Sequence, residues 1–203
     1  MLQPRSIQSS LGLKDKIFSF DYVLVSSIFI LGIISMFAMY STDGGEFKYH
    51  TNSHILRFCV FFGLFFFISL IKIRFWHSQS YLIYSLFFLL LLGVKYFGLT
   101  SSGSKRWLDL YVMNLQPSEL MKIGLILFLA KYYHRISIES INSFRHLLLP
   151  ITVLISPVIL VATQPDLGTS ILIASGGIIV AWLAGVRAKF FIISGFAMIA
   201  LLP

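Results

Sequence analysis

Three short polar stretches in this 203-residue sequence hold residue types that could act on a charged substrate. The first, GSKRWLDL, sets Lys105, Arg106 and Trp107 side by side after a Gly103 that permits a tight turn. The planar guanidinium of an arginine is well suited to bind a phosphate. The same residues also fit an aromatic anchor in the headgroup layer, flanked by two cations that reach the lipid surface. Phosphate binding and membrane anchoring both remain open for this stretch.

The second stretch, QPSELMK, starts an apolar run with Pro117, Ser118 and Glu119, which suit the first turn of a helix. Lys122 lies one turn further in, where an intramembrane charge costs at least about 2.5 to 3.5 kcal/mol unless it is paired or faces a wet cavity. Glu119 and Lys122 are three positions apart and can pair on one helix face. The pair is either a structural element at a helix end or the charged wall of a substrate cavity.

The third stretch, QPDLGTS, puts Pro165 and Asp166 between two of the most apolar runs of the chain. An aspartate in this position is an ordinary N-cap that accepts hydrogen bonds from the first backbone N–H groups of the next helix. Alternatively, Asp166 faces Lys122 or Arg106 across a cavity and orients a cation or binds a metal–phosphate group. The two roles are compatible, and convergence of the three stretches is left open.

The elements that must position these groups are long apolar runs. With 57% apolar and 12% charged residues and a mean hydropathy of +0.86, the chain is not an ordinary soluble domain. The runs are apolar on every face, unlike the alternating strands of a membrane barrel, and their lengths suit membrane-spanning helices. We predict an all-α integral membrane protein, a polytopic bundle of six full helices and a partial seventh that begins at Phe190. The six runs are residues 22–40, 55–71, 81–97, 117–133, 147–163 and 169–184.

Lysine and arginine predict the orientation of the bundle. With the N-terminus in the cytoplasm, ten of them fall in cytoplasmic segments and four in the opposite loops, as the positive-inside rule requires. We therefore expect a cytoplasmic segment at residues 1–20, a transmembrane domain at 21–203, and outward-facing loops after the first, third and fifth helices. The net charge of +8 follows from this bias and from attraction to anionic headgroups, so no nucleic-acid partner is expected.

The motifs of soluble enzymes are missing from the sequence. It has no phosphate-binding glycine loop, no H-E-x-x-H, no CxxC pair and no G-x-S-x-G. Its one cysteine, Cys59, can form no intrachain disulfide. Any chemistry must therefore use polar residues within the membrane or at its outer face.

Four motifs in this order, GSKRWLDL, LQPSELMK, LAKYYHR and ATQPDLGTSIL, resemble the SEDS family (shape, elongation, division, sporulation), and its RodA branch most. The resemblance extends over nearly the whole chain from Tyr22 onward. It implies a glycosyltransferase of the bacterial cytoplasmic membrane that polymerises lipid II into peptidoglycan strands during cell elongation and rod-shape maintenance. It also implies a partner, a class B penicillin-binding protein that crosslinks the strands, as well as contact with membrane lipids.

The resemblance assigns six residues to an outward cavity for the lipid-linked pyrophosphate. These are Lys105, Arg106, Trp107, Glu119, Lys122 and Asp166. In glycosyl transfer the pyrophosphate leaves, so fixed cations stabilise its developing charge, and a carboxylate base takes the proton of the acceptor hydroxyl. A divalent cation, Mg²⁺ or Mn²⁺, is a further expectation.

The catalytic residue of the family is expected outside this chain. The presumed catalytic aspartate of SEDS proteins lies in a large outer loop after the seventh helix, whereas this sequence ends at Pro203 within a 14-residue run that would span about 21 Å. We expect no catalytic residue here, and a truncated form with little or no polymerase activity. Two alternatives stay open: a flippase for lipid-linked precursors, and a non-catalytic scaffold that packs through the small residues of 174–185.

Overall fold

The computed structural model describes residues 18–101, 104–109 and 114–191. Within these residues, six long helices and three short strands follow one another along the chain. The helices are α1 (Tyr22–Thr42), α2 (Tyr49–Leu70), α3 (Ile73–Phe97), α4 (Pro117–His134), α5 (Phe144–Ala162) and α6 (Leu167–Leu183). The strands lie between α3 and α4 and are β1 (Leu99–Ser101), β2 (Ser104–Asp109) and β3 (Asn114–Leu115). The chain divides after Phe75 into two compact units.

Four helices of the described residues are long and apolar enough to cross a membrane, namely α1, α2, α3 and α5. Helix α4 carries three charged residues, and α6 has only 17 residues. The helical, multi-span architecture is therefore confirmed, while six full spans remain a prediction. Helical residues resume at 188–191, but the rest of the predicted seventh span and residues 1–17 of the N-terminal segment lie outside the described residues.

Two helices begin more than one turn earlier than the apolar runs predict. Helix α2 begins at Tyr49 instead of residue 55, and α3 begins at Ile73 instead of residue 81. Both extensions are polar, since they contain residues such as Thr51 and His77. A helix needs satisfied backbone groups and not apolar side chains in its first turn, so hydropathy underestimates its length where a polar turn precedes the membrane core.

The first unit is an antiparallel pair formed by α1 and α2. Gly32 of α1 lies against the ring of Phe58, so close that a Cβ on the glycine would overlap the ring. Ser35 Oγ and His54 Nε2 share a hydrogen bond of 2.8 Å across the pair. At the turn, a carboxylate oxygen of the buried Asp43 accepts hydrogen bonds from the Thr51 backbone N–H (2.8 Å) and hydroxyl (2.6 Å). These contacts set the register of the two helices.

Helix α4 is the central element of the second unit. It packs against α5, α6 and β2, and its buried face includes Met121, Leu125 and Leu129. A Cβ on Gly177 of α6 would lie 2.5 Å from Leu154 Cδ1 and 3.3 Å from Leu125 Cδ2. The small residue thus allows close approach, which is how membrane helices gain packing contacts. The small-residue run of α6 packs, at Gly177, against helices of its own chain.

Proline residues inside α5 are compensated by tyrosines of neighbouring helices. Pro157 has no N–H, so the Val153 carbonyl four residues earlier loses its intrahelical donor. The hydroxyl of Tyr84, on α3, donates to that carbonyl at 2.8 Å. A second set repeats the arrangement at 3.0 Å, with Pro150, the His146 carbonyl and the hydroxyl of Tyr132 on α4. Both acceptors are satisfied without any change to the apolar character of α5.

The segment after α3 forms a small antiparallel sheet in the order β1-β2-β3. Leu99 of β1 pairs with Trp107 of β2, and Asp109 of β2 pairs with Asn114 of β3. The sequence predicts only a loop here, because three very short strands give no detectable alternation of apolar and polar residues. The predicted tight turn at Gly103 lies outside the described residues. The sheet matters for the site because its middle strand carries Lys105, Arg106 and Trp107.

Candidate functional site

Arg106 holds the turn between α5 and α6. Its Nε donates to the Gln164 carbonyl at 3.1 Å, and its Nη2 donates to the Pro165 carbonyl at 2.5 Å. Strand β2 brings the side chain to this turn because it is hydrogen-bonded on both sides, to β1 and to β3. Two donors of the guanidinium are therefore engaged by backbone, and the remaining N–H groups are the ones left for a ligand.

Asp166 connects the starts of two helices. It is the N-cap of α6 and accepts hydrogen bonds from the Thr169 backbone N–H (3.2 Å) and hydroxyl (2.9 Å). Its second oxygen also accepts from Gln116 Nε2 at 3.3 Å. Gln116 is the N-cap residue of α4, so the carboxylate joins α4 to α6 at one end of the unit. The predicted N-cap role is confirmed.

Gln116 is a residue that sequence reasoning missed. Its signal is its place directly before Pro117, which occupies the first position of α4. A side chain in an N-cap position projects from the helix end, where it can reach a neighbouring helix start. Arg106 and the hydrogen-bonded pair of Gln116 and Asp166 thus meet at the same α5–α6 turn.

Glu119 and Lys122 form the predicted ion pair on α4. Lys122 Nζ lies 2.9 Å from Glu119 Oε1 and 2.8 Å from Glu119 Oε2. The Lys122 side chain is 26% exposed and the Glu119 side chain 53% exposed, so neither charge is enclosed by the protein. Among the described residues, no hydrogen bond or ion pair joins it to Arg106 or Asp166. Both groups remain accessible to a charged ligand.

The other two predicted residues flank Arg106 on β2. Lys105 is exposed, and Trp107 is half-buried. The adjacent residues Leu99 and Thr100 of β1 pair with Trp107 and Lys105, so the register shifts here and Arg106 is the extra residue of a β-bulge. The structure therefore brings Arg106 and Asp166 to one turn, pairs Glu119 with Lys122, and leaves Lys105 free on the surface of the sheet.

The described residues contain no group of three His, Cys, Asp or Glu side chains that could hold a metal ion. Of the two site carboxylates, Asp166 is engaged by Thr169 and Gln116, and Glu119 by Lys122. A divalent cation here would need oxygens of a bound phosphate as additional ligands. Mg²⁺ or Mn²⁺ therefore stays a prediction.

Comparison with known proteins places these features in a family. The family model for FtsW, RodA and SpoVE, described as cell cycle protein, matches residues 17–202. The probable peptidoglycan glycosyltransferase FtsW of Buchnera aphidicola (subsp. Schizaphis graminum) is 34% identical over 155 residues, which are 73% of this chain and 44% of that protein.

Two solved structures have the same fold. A variant of the rod shape determining protein RodA of Thermus thermophilus superposes with a TM-score of 0.74 at 24% identity, over 91% of this chain and 60% of that one. A chain from a peptidoglycan synthase complex, studied for the coordination of polymerisation and crosslinking, gives a TM-score of 0.75 at 26% identity, over 91% and 53%. This chain thus spans about half the length of the proteins it matches.

The match decides the assignment, because it covers nearly the whole chain and includes all six site residues. It confirms the resemblance to SEDS proteins that the four motifs indicate. Together with the four apolar spans, it makes the chain a multi-pass protein of the bacterial inner membrane. The chain belongs to the FtsW, RodA and SpoVE family of cell cycle proteins.

Proposed function

We propose that this chain is part of a RodA-like peptidoglycan glycosyltransferase, which polymerises lipid II into glycan strands during cell elongation. The observation that carries the proposal is the family match over residues 17–202. The relative from Buchnera is named as a probable peptidoglycan glycosyltransferase, and the solved complex as a peptidoglycan synthase. A class B penicillin-binding protein is the proposed partner, since that class crosslinks the strands.

The proposed substrate site lies at the end of the second unit where α4 and α6 begin. Lipid II carries an anionic pyrophosphate at the level of the headgroups, where the exposed Lys105 and the partly exposed Lys122 would supply cations. Arg106 and Asp166 have a different task in this proposal. They hold the α5–α6 turn so that the cations keep a fixed position, as electrostatic stabilisation of a leaving group requires.

The proposed reaction transfers a glycan between two lipid carriers. The acceptor hydroxyl attacks the anomeric carbon of the donor, a new glycosidic bond forms, and the bond from that carbon to the pyrophosphate oxygen breaks. The electron pair leaves with the lipid pyrophosphate, and the hydroxyl proton goes to a carboxylate base. We assign no base within this chain, because the aspartate expected from the family lies in a part of the relatives that this chain does not match.

The proposed topology has six spans and the start of a seventh, with the N-terminus in the cytoplasm. Loops after α1, α3 and α5 then face outward, and the substrate cavity opens on that side. The excess of lysine and arginine on the opposite side supports this orientation.

The test is lipid II polymerisation by a chimera in which this chain replaces the matching part of a full-length relative, with its transpeptidase and Mg²⁺ or Mn²⁺. We expect polymer from the chimera, and a loss of at least about tenfold with Lys122→Gln, since a hydrogen bond to a charged group contributes about 1.5 to 3 kcal/mol. Lys189→Gln, at the opposite end of the unit, is the matched control. A chimera that moves lipid II across vesicles without polymerising it would favour the flippase alternative.

A further inference from the structure

A second group of cations lies at the other end of α4. This helix has 18 residues, so the two ends are about 27 Å apart. We call the group the basic cluster; its members are His77 in the first turns of α3 and Lys131, His134 and Arg135 at the end of α4. None of them belongs to the proposed substrate site.

The aromatic ring of Tyr81 brings two of these cations together. Lys131 Nζ lies 4.4 Å from the ring centroid, and Arg135 Cζ lies 5.7 Å from the same centroid. Lys131 is 6% exposed, and its Nζ donates a hydrogen bond of 2.6 Å to the Ser78 carbonyl. A buried ammonium thus has one neutral acceptor and one aromatic face, which together leave part of its donor capacity unused.

The two histidines complete the cluster. The rings of His77 and His134 lie 5.3 Å apart at an angle of 84°. His77 Nε2 is shielded from solvent and has no hydrogen-bond partner in the described residues. His134 and Arg135 are exposed, so they form the side of the cluster that a ligand can reach.

The basic cluster has no acidic partner in the part of the chain that the structure describes. The ion pairs there are Lys48–Glu46 and Lys122–Glu119, and neither belongs to the cluster. The negative end of the α4 dipole favours cations, but that effect is small at an exposed helix end. It does not offset the burial of an ammonium, whose desolvation needs a close counter-charge or several hydrogen bonds. The start of α3, at the same end, adds further positive potential.

We propose that the basic cluster binds the phosphate of an anionic glycerophospholipid headgroup. Arg135 presents its exposed guanidinium fork, which suits two phosphate oxygens at once, and Lys131 supplies the buried charge behind it. The site lies where α3 begins and α4 ends, which is the depth at which spanning helices meet the headgroups. Basic pockets between membrane helices bind anionic headgroups elsewhere by the same physics. The proposal does not depend on the polymerase activity.

The test is lipid binding by the purified 203-residue chain in a neutral detergent, measured by native mass spectrometry. The probes are phosphatidylglycerol, phosphatidylcholine and inorganic phosphate. We expect phosphatidylglycerol to bind at least about tenfold more tightly than phosphatidylcholine, and Arg135→Gln to reduce that affinity about tenfold. Arg145→Gln is the matched control, because it removes an exposed arginine from the first turn of α5, at the same end, and should change the affinity less than about twofold.

Three outcomes would overturn the proposal. Equal binding of the two lipids would show that the basic cluster does not distinguish an anionic from a zwitterionic headgroup. An equal loss with Arg145→Gln would show attraction to the whole basic surface and not to this cluster. Displacement of the lipid by inorganic phosphate at a similar concentration would show a site for a free anion. If Arg135→Gln folds poorly, two measurements still test the proposal. One is the comparison of the two lipids on the unchanged chain, and the other is Arg135→Lys, which keeps the charge but loses the guanidinium fork.

Discussion

Arg106 shows how one side chain can look like a ligand-binding group and yet hold its own fold together. Its Nε and Nη2 atoms already donate to the Gln164 and Pro165 carbonyls. These N–H groups are not available to a phosphate unless their hydrogen bonds to the α5–α6 turn break. A phosphate would therefore have only the remaining N–H groups of Arg106, while the two engaged groups position the turn.

Replacing Arg106 with lysine separates the two roles. Arg106→Lys keeps the charge but loses the two-pronged geometry, so we expect the turn to loosen. Hydrogen exchange of the 164–170 backbone should become faster and the melting temperature of the purified protein lower, whereas Lys105→Gln should change neither. Unchanged exchange together with weaker lipid II binding would indicate that the guanidinium serves the phosphate directly.

Asp43 predicts a pH dependence for the first unit. Hydrogen bonds from the Thr51 hydroxyl and backbone N–H, with help from the nearby His50 and Lys48 charges, hold the pKa of Asp43 below its ordinary value of 3.8. Because the folded-state pKa is the lower one, the stabilisation is complete above the unfolded-state pKa and is lost as the pH falls through the folded-state pKa.

Thermal melting of the parent chain and of Asp43→Asn tests this pH dependence. We expect the parent to be the more stable at neutral pH, and the difference to disappear as the pH falls from about 5 to about 2. Glu46→Gln, which removes a largely exposed carboxylate from the same turn, should show a much smaller effect. A difference that stays constant over the whole range would contradict the assignment.

Local roles at the candidate site could be predicted from sequence, while long-range contacts could not. The N-cap bond of Asp166 and the ion pair of Glu119 each join residues three positions apart. Such spacing within a helix is enough to predict the contact from the sequence. The bond between Gln116 and Asp166 joins residues 50 positions apart, and its existence depends on how α4 and α6 pack.

At the scale of the helices, two adjacent glycines of α6 offer a matched pair of substitutions. Gly177→Ala would put a Cβ 2.5 Å from Leu154 Cδ1, whereas the nearest side-chain atom to a Cβ on Gly176 is 3.8 Å away, on Ile126. Overpacking costs about 1 to 3 kcal/mol, and replacing a helical glycine gains about 0.5 to 1 kcal/mol. Thermal melting should show Gly177→Ala below the parent and Gly176→Ala equal to it or above it. The reverse order would place the close helix contact elsewhere.

Tyr84 of α3 and Pro157 of α5 should have coupled effects on stability. In the parent, Tyr84→Phe leaves the Val153 carbonyl without its donor. In a Pro157→Ala background the restored backbone N–H can take over that acceptor, so the same change should cost little. A double-mutant cycle by thermal melting should give a coupling of about 0.6 to 1.7 kcal/mol, the range for polar contacts between membrane helices. Additive effects would mean that the two residues act independently, and the cycle of Tyr132 with Pro150 provides a second case.

The elements themselves were predicted unevenly. The apolar cores of α1 to α6 follow from hydropathy, because a bilayer selects side chains by their transfer energy. Hydropathy does not predict the early starts of α2 and α3 or the small sheet, because polar helical turns and short strands lack a run of apolar residues. Hydropathy therefore predicts where apolar helices lie better than it predicts how far they extend.

For the whole molecule, the proposed orientation makes a prediction about access from each side of the membrane. In a Cys59→Ser background, a cysteine in place of Lys105 should react with an impermeant thiol reagent in intact cells. A cysteine in place of Arg145 should react only after permeabilisation, because it lies beyond the other end of α4. Labelling of both in intact cells, or the reverse pattern, would overturn the predicted orientation.

The separation of charges along α4 also belongs to this scale. Lys122 lies near its start and Lys131 near its end, and each is surrounded by a different set of neighbours. Counting lysine and arginine predicts which side holds more cations, but it treats all of them alike. Only the packed structure distinguishes the accessible Lys122 from the enclosed Lys131.

The two prolines of α5 also bear on how the protein is made. Alone in lipid, this helix would expose the Val153 carbonyl in its middle without a donor, at a cost of several kcal/mol, and the His146 carbonyl near its start without its intrahelical donor. The tyrosines that satisfy them lie on α3 and α4, which precede α5 in the chain and so leave the ribosome first. The tyrosine donors are therefore synthesised before the carbonyl acceptors of α5. We expect α5 to remain at the translocon until α3 and α4 are in the bilayer beside it.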